Sequence, residues 1–283
     1  MIDSTKKEKL SLIFMYFVLT VVVVFTVAPL LFMATASLMP SKDIVKMPYR
    51  WIPKGFHWPN FVKAVAGNDG KFMFPITIWN SLVVAIVVSA TTVFLACMTG
   101  YGLAKFKFRG RMVIFLMIMA TMMIPFEAIM IPLYLVTTKL GLQNSYGGLI
   151  VPFLVNAFGV FMMRQYLITF PDEFLEAARI DGMSEIRIFW SIIFPNSGPT
   201  IATLAILAFR AQWDNLLWPL LVIQSEKMKT IPLYIVKFTA EKHSDEGAMM
   251  AVALLASIPM FALFFALSKY FIGGSAVYSS RKG

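Results

Sequence analysis

Apolar residues run through this chain in blocks too long for the helices of a water-soluble fold. A membrane-crossing helix needs about 20 mostly apolar residues, each advancing ~1.5 Å along its axis. Residues 10–37, 76–103, 112–136, 146–163 and 247–271 form five such blocks. The stretch 188–223 holds a sixth, read as 199–221, after a break around Pro195 and Pro199. The pattern predicts an all-α, polytopic membrane protein: one domain over 1–283 with six transmembrane helices. The first block is read as a span and not as a cleaved signal, because signal cores run to only about 7–15 residues.

Composition agrees with that solvent. The chain is 59% hydrophobic and 14% charged, whereas soluble domains carry roughly a quarter charged residues. The net charge of +10 does not point to nucleic acid, because the Lys and Arg lie in the gaps between apolar blocks, as in any polytopic protein. "KKEK" at the N-terminus and "KFKFRGR" at 105–111 concentrate positive charge close to helix ends, which puts both termini on the cytoplasmic side. Cys97 is the single cysteine, and His57 and His243 are far apart in the chain. No disulfide or metal set follows from these residues. In the outer loop 38–75, "YRWIPKGFHWPNF" suits an interfacial aromatic belt or a binding surface, and "GNDG" at 67–70 reads as a turn.

One stretch breaks the apolar pattern. "PDEFLEAARIDGMSEI", residues 171–186, holds Asp172, Glu173, Glu176, Asp181 and Glu185, five of the fifteen acidic residues. Pro171 with Asp172 and Glu173 suits a helix N-terminus, where negative charge is favoured. Phe174, Leu175 and Ala178 form a small apolar face. Gly182 falls where a helix closes at positive φ, and Ser184 can cap a second helix. The predicted product is a helix–turn–helix on the inner membrane surface. The small pair Ala177–Ala178 allows close approach by a partner protein's groove. The competing reading, an amphipathic helix lying on lipid, fits poorly with acids facing an anionic leaflet.

Ionisable residues inside spans raise functional expectations of their own. Glu127 lies between Pro125 and Pro132 and can face a water-filled path or pair across helices. Arg210 and Asp214 are four apart and read as a structural pair. Trp213, Asn215 and Trp218 nearby combine aromatic faces with a polar group, a mixture common in sugar pockets, although Trp is also enriched at membrane interfaces.

"EAARIDG", followed at the right distance by "IIFP", resembles the EAA motif of ATP-binding-cassette importer permeases. Glu176, Ala177, Ala178, Gly182, Ile192 and Pro195 match that pattern, and Phe194 replaces its usual Leu. "YGLAKFKFRGR" (101–111), "NSYGGLIVPF" (144–153) and "WDNLLWPLLV" (213–222) extend the likeness to the sugar-importer branch, in particular the smaller permease of the maltose or arabino-oligosaccharide type. The resemblance implies that 171–186 is a coupling helix docked on a cytoplasmic ATPase. Glu176 and Asp181 would orient it, Ala177 and Ala178 would allow close contact, and Gly182 would turn the chain. It further implies a second permease subunit, two copies of the ATP-binding subunit and an extracellular or periplasmic solute-binding protein that the outer loop 224–247 would face. This chain has no Walker A sequence, so ATP and Mg are expected in the partner ATPase and no cofactor in this chain. The inner tail "YFIGGSAVYSSRKG" resembles that of the group, with a divergent middle. The implied place is a bacterial inner membrane. In the maltose type the larger permease makes most sugar contacts, so the path residues Glu127, Trp213, Asn215 and Trp218 would contribute few. Two alternatives remain at this point: an importer of the same class for another solute such as glycerol phosphate, and a proton-coupled secondary transporter using Glu127.

Overall fold

The computed structural model describes residues 3–67, 70–240 and 245–279, the side chains of 3–7, 239–240 and 271–279 excepted. Asn68 and Asp69 of the expected turn, His243, and the end of the inner tail therefore lie outside the described residues. All regular structure among the described residues is helical. Lipid offers no partners for backbone N–H and C=O groups, so a chain this apolar satisfies them within helices. Three helices are long and apolar enough to cross a membrane: Glu8–Ala36, Met73–Lys105 and Glu246–Tyr270. Three further pairs, each bent at a short break, qualify when taken together, which makes up to six spans.

The breaks follow from local chemistry, and they alter three of the expected spans. The block 112–136 is not one helix. Arg111–Met122 and Phe126–Lys139 meet at 96°, because Pro125 disfavours helical backbone at the residue before it. Pro132 is accommodated inside the second helix. The block 146–163 bends by 41° between Tyr146–Phe153 and Ala157–Ile168. Pro152 sits in a tight turn there, and the Asn156 side chain accepts from the Gly159 N–H at 3.0 Å to start the next helix. The span read as 199–221 begins at Gly198 and stops at Trp213. A separate short helix, Leu217–Val222, follows. Upstream, Glu185–Asn196 and Gly198–Trp213 meet at 78°. Residues Phe189–Ile193 form a wider π turn just before Pro195, which relieves the hydrogen bond that proline cannot donate.

The chain divides into two compact units. The first comprises Met1–Phe74 and Ile235–Ser257. Its opening helix, Asp3–Ala36, exposes large apolar side chains on all sides from Leu10 to Phe25, as a helix facing lipid or another apolar subunit does. After it the chain turns into a loop built around buried Asn60, whose amide donates to the Ser37 carbonyl at 2.8 Å and the Met39 carbonyl at 2.7 Å. Asp245 accepts from Ser41 at 2.8 Å and from Lys63 at 2.6 Å. Gly247 makes room for this arrangement, because a Cβ there would lie 2.5 Å from the Asn60 amide nitrogen.

The second unit comprises Pro75–Tyr234 and Ile258–Gly283. Its main core packs Cys97 and Tyr101 of the Met73–Lys105 helix against Met163, Leu167, Leu175, Ile188, Ile193 and Leu204. Small residues set the helix separation, as they do in membranes generally. A Cβ on Gly100 would lie 2.8 Å from the Cβ of Met163, and one on Gly159 would lie 3.2 Å from the Cβ of Ala96. Gly102, on the same helix, has nothing within 4 Å. Gly100→Ala should therefore destabilise the purified protein by about 1–3 kcal/mol through overpacking. Gly102→Ala should be neutral or stabilising by up to ~1 kcal/mol, the helix-propensity gain alone. Thermal melting of the two variants in one detergent separates them, and equal melting temperatures would contradict the close approach at Gly100.

Candidate functional site

The charged stretch folds into a short helix, Glu173–Ile180, clipped to the membrane part at both ends. Asp172 is its N-cap residue, so Pro171 lies before the cap and not in the first turn. At the far end the Asp181 N–H donates to the Ala177 carbonyl and the Met183 N–H to the Ala178 carbonyl, at 2.9 and 3.0 Å. Gly182 makes that closure possible with φ of +77°. The chain then re-enters helix at Glu185, and the Ser184 hydroxyl accepts from the Arg187 N–H.

Both clips come from the last two turns of the Met73–Lys105 helix. The Lys105 ammonium donates to the Phe170 carbonyl and to the Asp172 carboxylate, each at 2.5 Å. The lysine side chain is only 5% exposed, so this charge is committed to the loop. One helical turn earlier, the Tyr101 hydroxyl donates to Glu185 Oε2 at 2.6 Å. Glu185 Oε1 in turn accepts from Arg179 Nε at 2.7 Å, which ties the end of the short helix to the start of the next. In the sequence Lys105 was read only for membrane orientation and, with Tyr101, as part of a resembling stretch; their i, i+4 spacing was the available signal for a shared face. Glu185 was counted among the acids without a partner being assigned.

The short helix has a clear inside and outside. Leu175 and Ala178 are buried in the main core, whereas Phe174 is 58% exposed, so the expected apolar face loses its Phe. Ala178 lies on the apolar face with Leu175, as read from the sequence, and so away from the outer surface where it was also expected to meet a partner. It packs inward, at 5% exposure, and its small size serves the contact with the membrane helices. The outward face is formed by Glu173, Glu176, Ala177 and Asp181, with Ile180 at 86% exposure. A surface of acids around one small and one large apolar residue is available for a partner.

The residues expected along a substrate path are not brought together. Trp218 is fully buried, its indole N–H donating to the Gly148 carbonyl at 2.8 Å and its ring edge-on to Phe126 and Phe153. Trp213 is buried too, stacked on Phe209 among Ala85, Leu82 and Met260. Neither ring offers a free face for a sugar. Asn215 is spent on local structure, its carbonyl oxygen accepting from the Trp218 N–H at 3.3 Å. Glu127 is exposed in the first turn of Phe126–Lys139, just past the 96° bend of that broken span. A carboxylate there is favoured by the helix N-terminus. Arg210 and Asp214 form the exposed i, i+4 pair read from their spacing, at 3.3 Å. Among the described residues no group of three or more His, Cys, Asp or Glu is arranged to hold a metal.

Comparison with known proteins places this geometry in context. The family described as "Binding-protein-dependent transport system inner membrane component" matches residues 93–274. The chain is 33% identical to the arabinooligosaccharides transport system permease protein AraQ of Bacillus subtilis over 88% of each chain. It is 30% identical to the lactose transport system permease protein LacG of Rhizobium radiobacter, covering 96% of this chain and 97% of that one. It is also 30% identical to the sn-glycerol-3-phosphate transport system permease protein UgpE of Brucella abortus, covering 92% and 94%. A crystal structure of a bacterial ABC transporter involved in the import of the acidic polysaccharide alginate contains a chain of the same fold, with a TM-score of 0.80 at 22% identity over 94% of this chain and 98% of that one.

The hydrogen bond from Lys105 holds the Asp172 carboxyl below its ordinary pKa of 3.8. A lowered pKa means that the charged form is favoured in the fold, so this tie is complete above about pH 4 and is lost only as pH falls through the lowered value. Hydrogen exchange of the 173–181 amides should therefore show pH-independent protection factors from pH 5 to 8. Lys105→Met should reduce that protection about tenfold at pH 7 by freeing the loop's first turn. Unchanged protection in Lys105→Met would show that core packing alone holds the loop.

Proposed function

Because this chain belongs to the family of binding-protein-dependent transport system inner membrane components, we propose that it is the smaller permease of an ATP-driven importer for a sugar or oligosaccharide. Its partners in this reading are a second, non-identical permease, two copies of a cytoplasmic ATP-binding subunit that carry ATP and Mg, and an external solute-binding protein. Both termini face the cytoplasm. The arabinooligosaccharide and lactose relatives support the substrate class. The glycerol-phosphate relatives, at 30% identity, support the same machine with a phosphorylated polyol as its second reading. Proton coupling through Glu127 has no comparable support.

The observation that carries the coupling role is the Glu173–Ile180 helix, bound to the membrane part at both ends while its outer face stays open. In the proposed cycle this face lies in a cleft of the ATPase. Glu176 and Asp181 give the docked helix its register, Ala177 lets the ATPase surface reach the backbone, and Gly182 turns the chain back toward the membrane. When ATP draws the ATPase subunits together, the short helix moves with them. Lys105 and Tyr101 then carry the displacement directly into the Met73–Lys105 helix, and rigid helices pass it across the bilayer. Ala178 acts from the inner side, as packing.

Purification of the native complex in mild detergent with mass spectrometry tests the assembly. An ATPase and a second permease should accompany this chain, and recovery of the chain alone after crosslinking would overturn the reading. Gly182→Trp tests the docking. A Cβ at Gly182 meets nothing within 4 Å, so the fold bears only the strain of positive φ, about 1–2 kcal/mol. The variant should reach the membrane at normal levels yet lose at least about 90% of uptake, since one bulky group in a docked surface typically costs ~1–3 kcal/mol. Normal uptake would reject the docking role.

A further inference from the structure

The second unit holds two neighbouring arginines that no described carboxylate neutralises. Arg164, in the last two turns of the helix that ends at Thr169, rests its guanidinium on the Phe115 ring, 4.0 Å from the centroid. Its Nε is buried and has no hydrogen-bond partner among the described residues, and its side chain forms no ion pair with them. Arg111 opens the Arg111–Met122 helix, one turn before Phe115 and on the same side. It is near enough to act on Arg164, and as a like charge it repels it. Its side-chain hydrogen bond goes to a neutral acceptor, the Phe106 carbonyl, at 3.1 Å. Asp172, the acid at the start of the charged loop, is already taken by Lys105. The aromatic ring offsets part of the cost of holding Arg164 partly out of water. An anion shared between the two guanidiniums would offset the rest and supply the acceptor that Nε lacks.

The surroundings select among anions. Met112 and Leu116 stand next to Arg111 and Phe115 around the helix, and both are exposed, as are Val113 and Met117. The arginines therefore adjoin an apolar face that itself needs cover. Lys107 and Arg109 are exposed in the connection just before the helix, with Phe108 exposed between them. Cations around an aromatic residue at a helix end suit the surface of an anionic leaflet. Arg164 is close enough to its helix end to reach headgroup depth with its long side chain. A carboxylate on a soluble partner would satisfy the charges and leave the apolar face bare, whereas a phospholipid meets both. We propose that Arg111 and Arg164 bind the phosphate of an anionic phospholipid, with an acyl chain lying along Met112 and Leu116. Guanidinium forks match phosphate oxygens in pairs, which a point charge does not. That the lipid belongs to the cytoplasmic leaflet rests on the functional reading above; the binding itself needs only a bilayer.

The test takes the whole complex, stripped of lipid in detergent, adds back dioleoylphosphatidylglycerol or dioleoylphosphatidylcholine, and counts retained lipid by native mass spectrometry. Wild type should retain the glycerol lipid about tenfold more tightly than the choline lipid, and Arg111→Gln/Arg164→Gln should erase that preference at one site. Lys139→Gln, a charge removed from an exposed position elsewhere, should leave it intact. Equal retention by the double variant and wild type would overturn the proposal. If the double variant fails to assemble, Arg164→Lys keeps the charge and removes the fork. It should weaken retention about threefold, and no change there would also overturn the proposal. Glycerol phosphate in millimolar excess should displace no lipid; displacement would reassign the arginines to a soluble phosphate. Loss of the ATPase subunit from the double variant, with its lipid retained, would assign them to a carboxylate of that partner. If no ATPase or second permease accompanies the chain, the functional reading fails, while the same titration on the chain alone still decides this one.

Discussion

Backbone groups in hydrocarbon have no solvent to bond to, and the whole architecture answers that constraint. Where the chain meets lipid it forms uninterrupted helices such as Met73–Lys105. Where proline prevents this, the freed groups are met locally. Asn156 caps the helix after the Pro152 turn, Asn215 bonds the Trp218 N–H near Pro219, and a π turn precedes Pro195. The same requirement pulled Asn215 away from any role toward substrate.

The charged loop depends on those helices for its position. Its hold consists of a nearly buried lysine, a tyrosine hydroxyl and two buried apolar residues, Leu175 and Ala178. Both polar ties end on the last two turns of one helix. That geometry makes the loop a rigid extension of Met73–Lys105, and a load applied to the loop's outer face is delivered to one helix and not dissipated in a flexible linker. The close contact at Gly100 with Met163 sits directly beside the clip, so the neighbouring helix shares the load. Acids on the outer face leave the apolar inner face intact.

Much of this was legible without coordinates. The apolar blocks are decided by the thickness of a bilayer, which is why 10–37, 76–103 and 247–271 read directly as helices. Gly182 and Ser184 were readable because positive φ and an N-cap each favour few residue types. The spacing of Glu176, Ala177, Ala178 and Gly182 carried the family likeness. Bend angles were not readable: one proline, Pro125, turns the chain by 96° while Pro132, seven residues later, is absorbed. The difference lies in what surrounds each.

Local sequence by itself determined which segments are helical and which loop bears the charge, because each depends on neighbours within about one helical turn, but not where three of the spans break. Tertiary structure alone decided which side of Ala177–Ala178 faces inward, that Trp213 and Trp218 are buried in the core, and that Lys105 and Tyr101 grip a loop 65 to 84 residues further on. Those outcomes depend on contacts between segments far apart in the chain. A tryptophan has the same local pattern whether its indole meets a sugar or the Gly148 carbonyl, and only packing distinguishes the two.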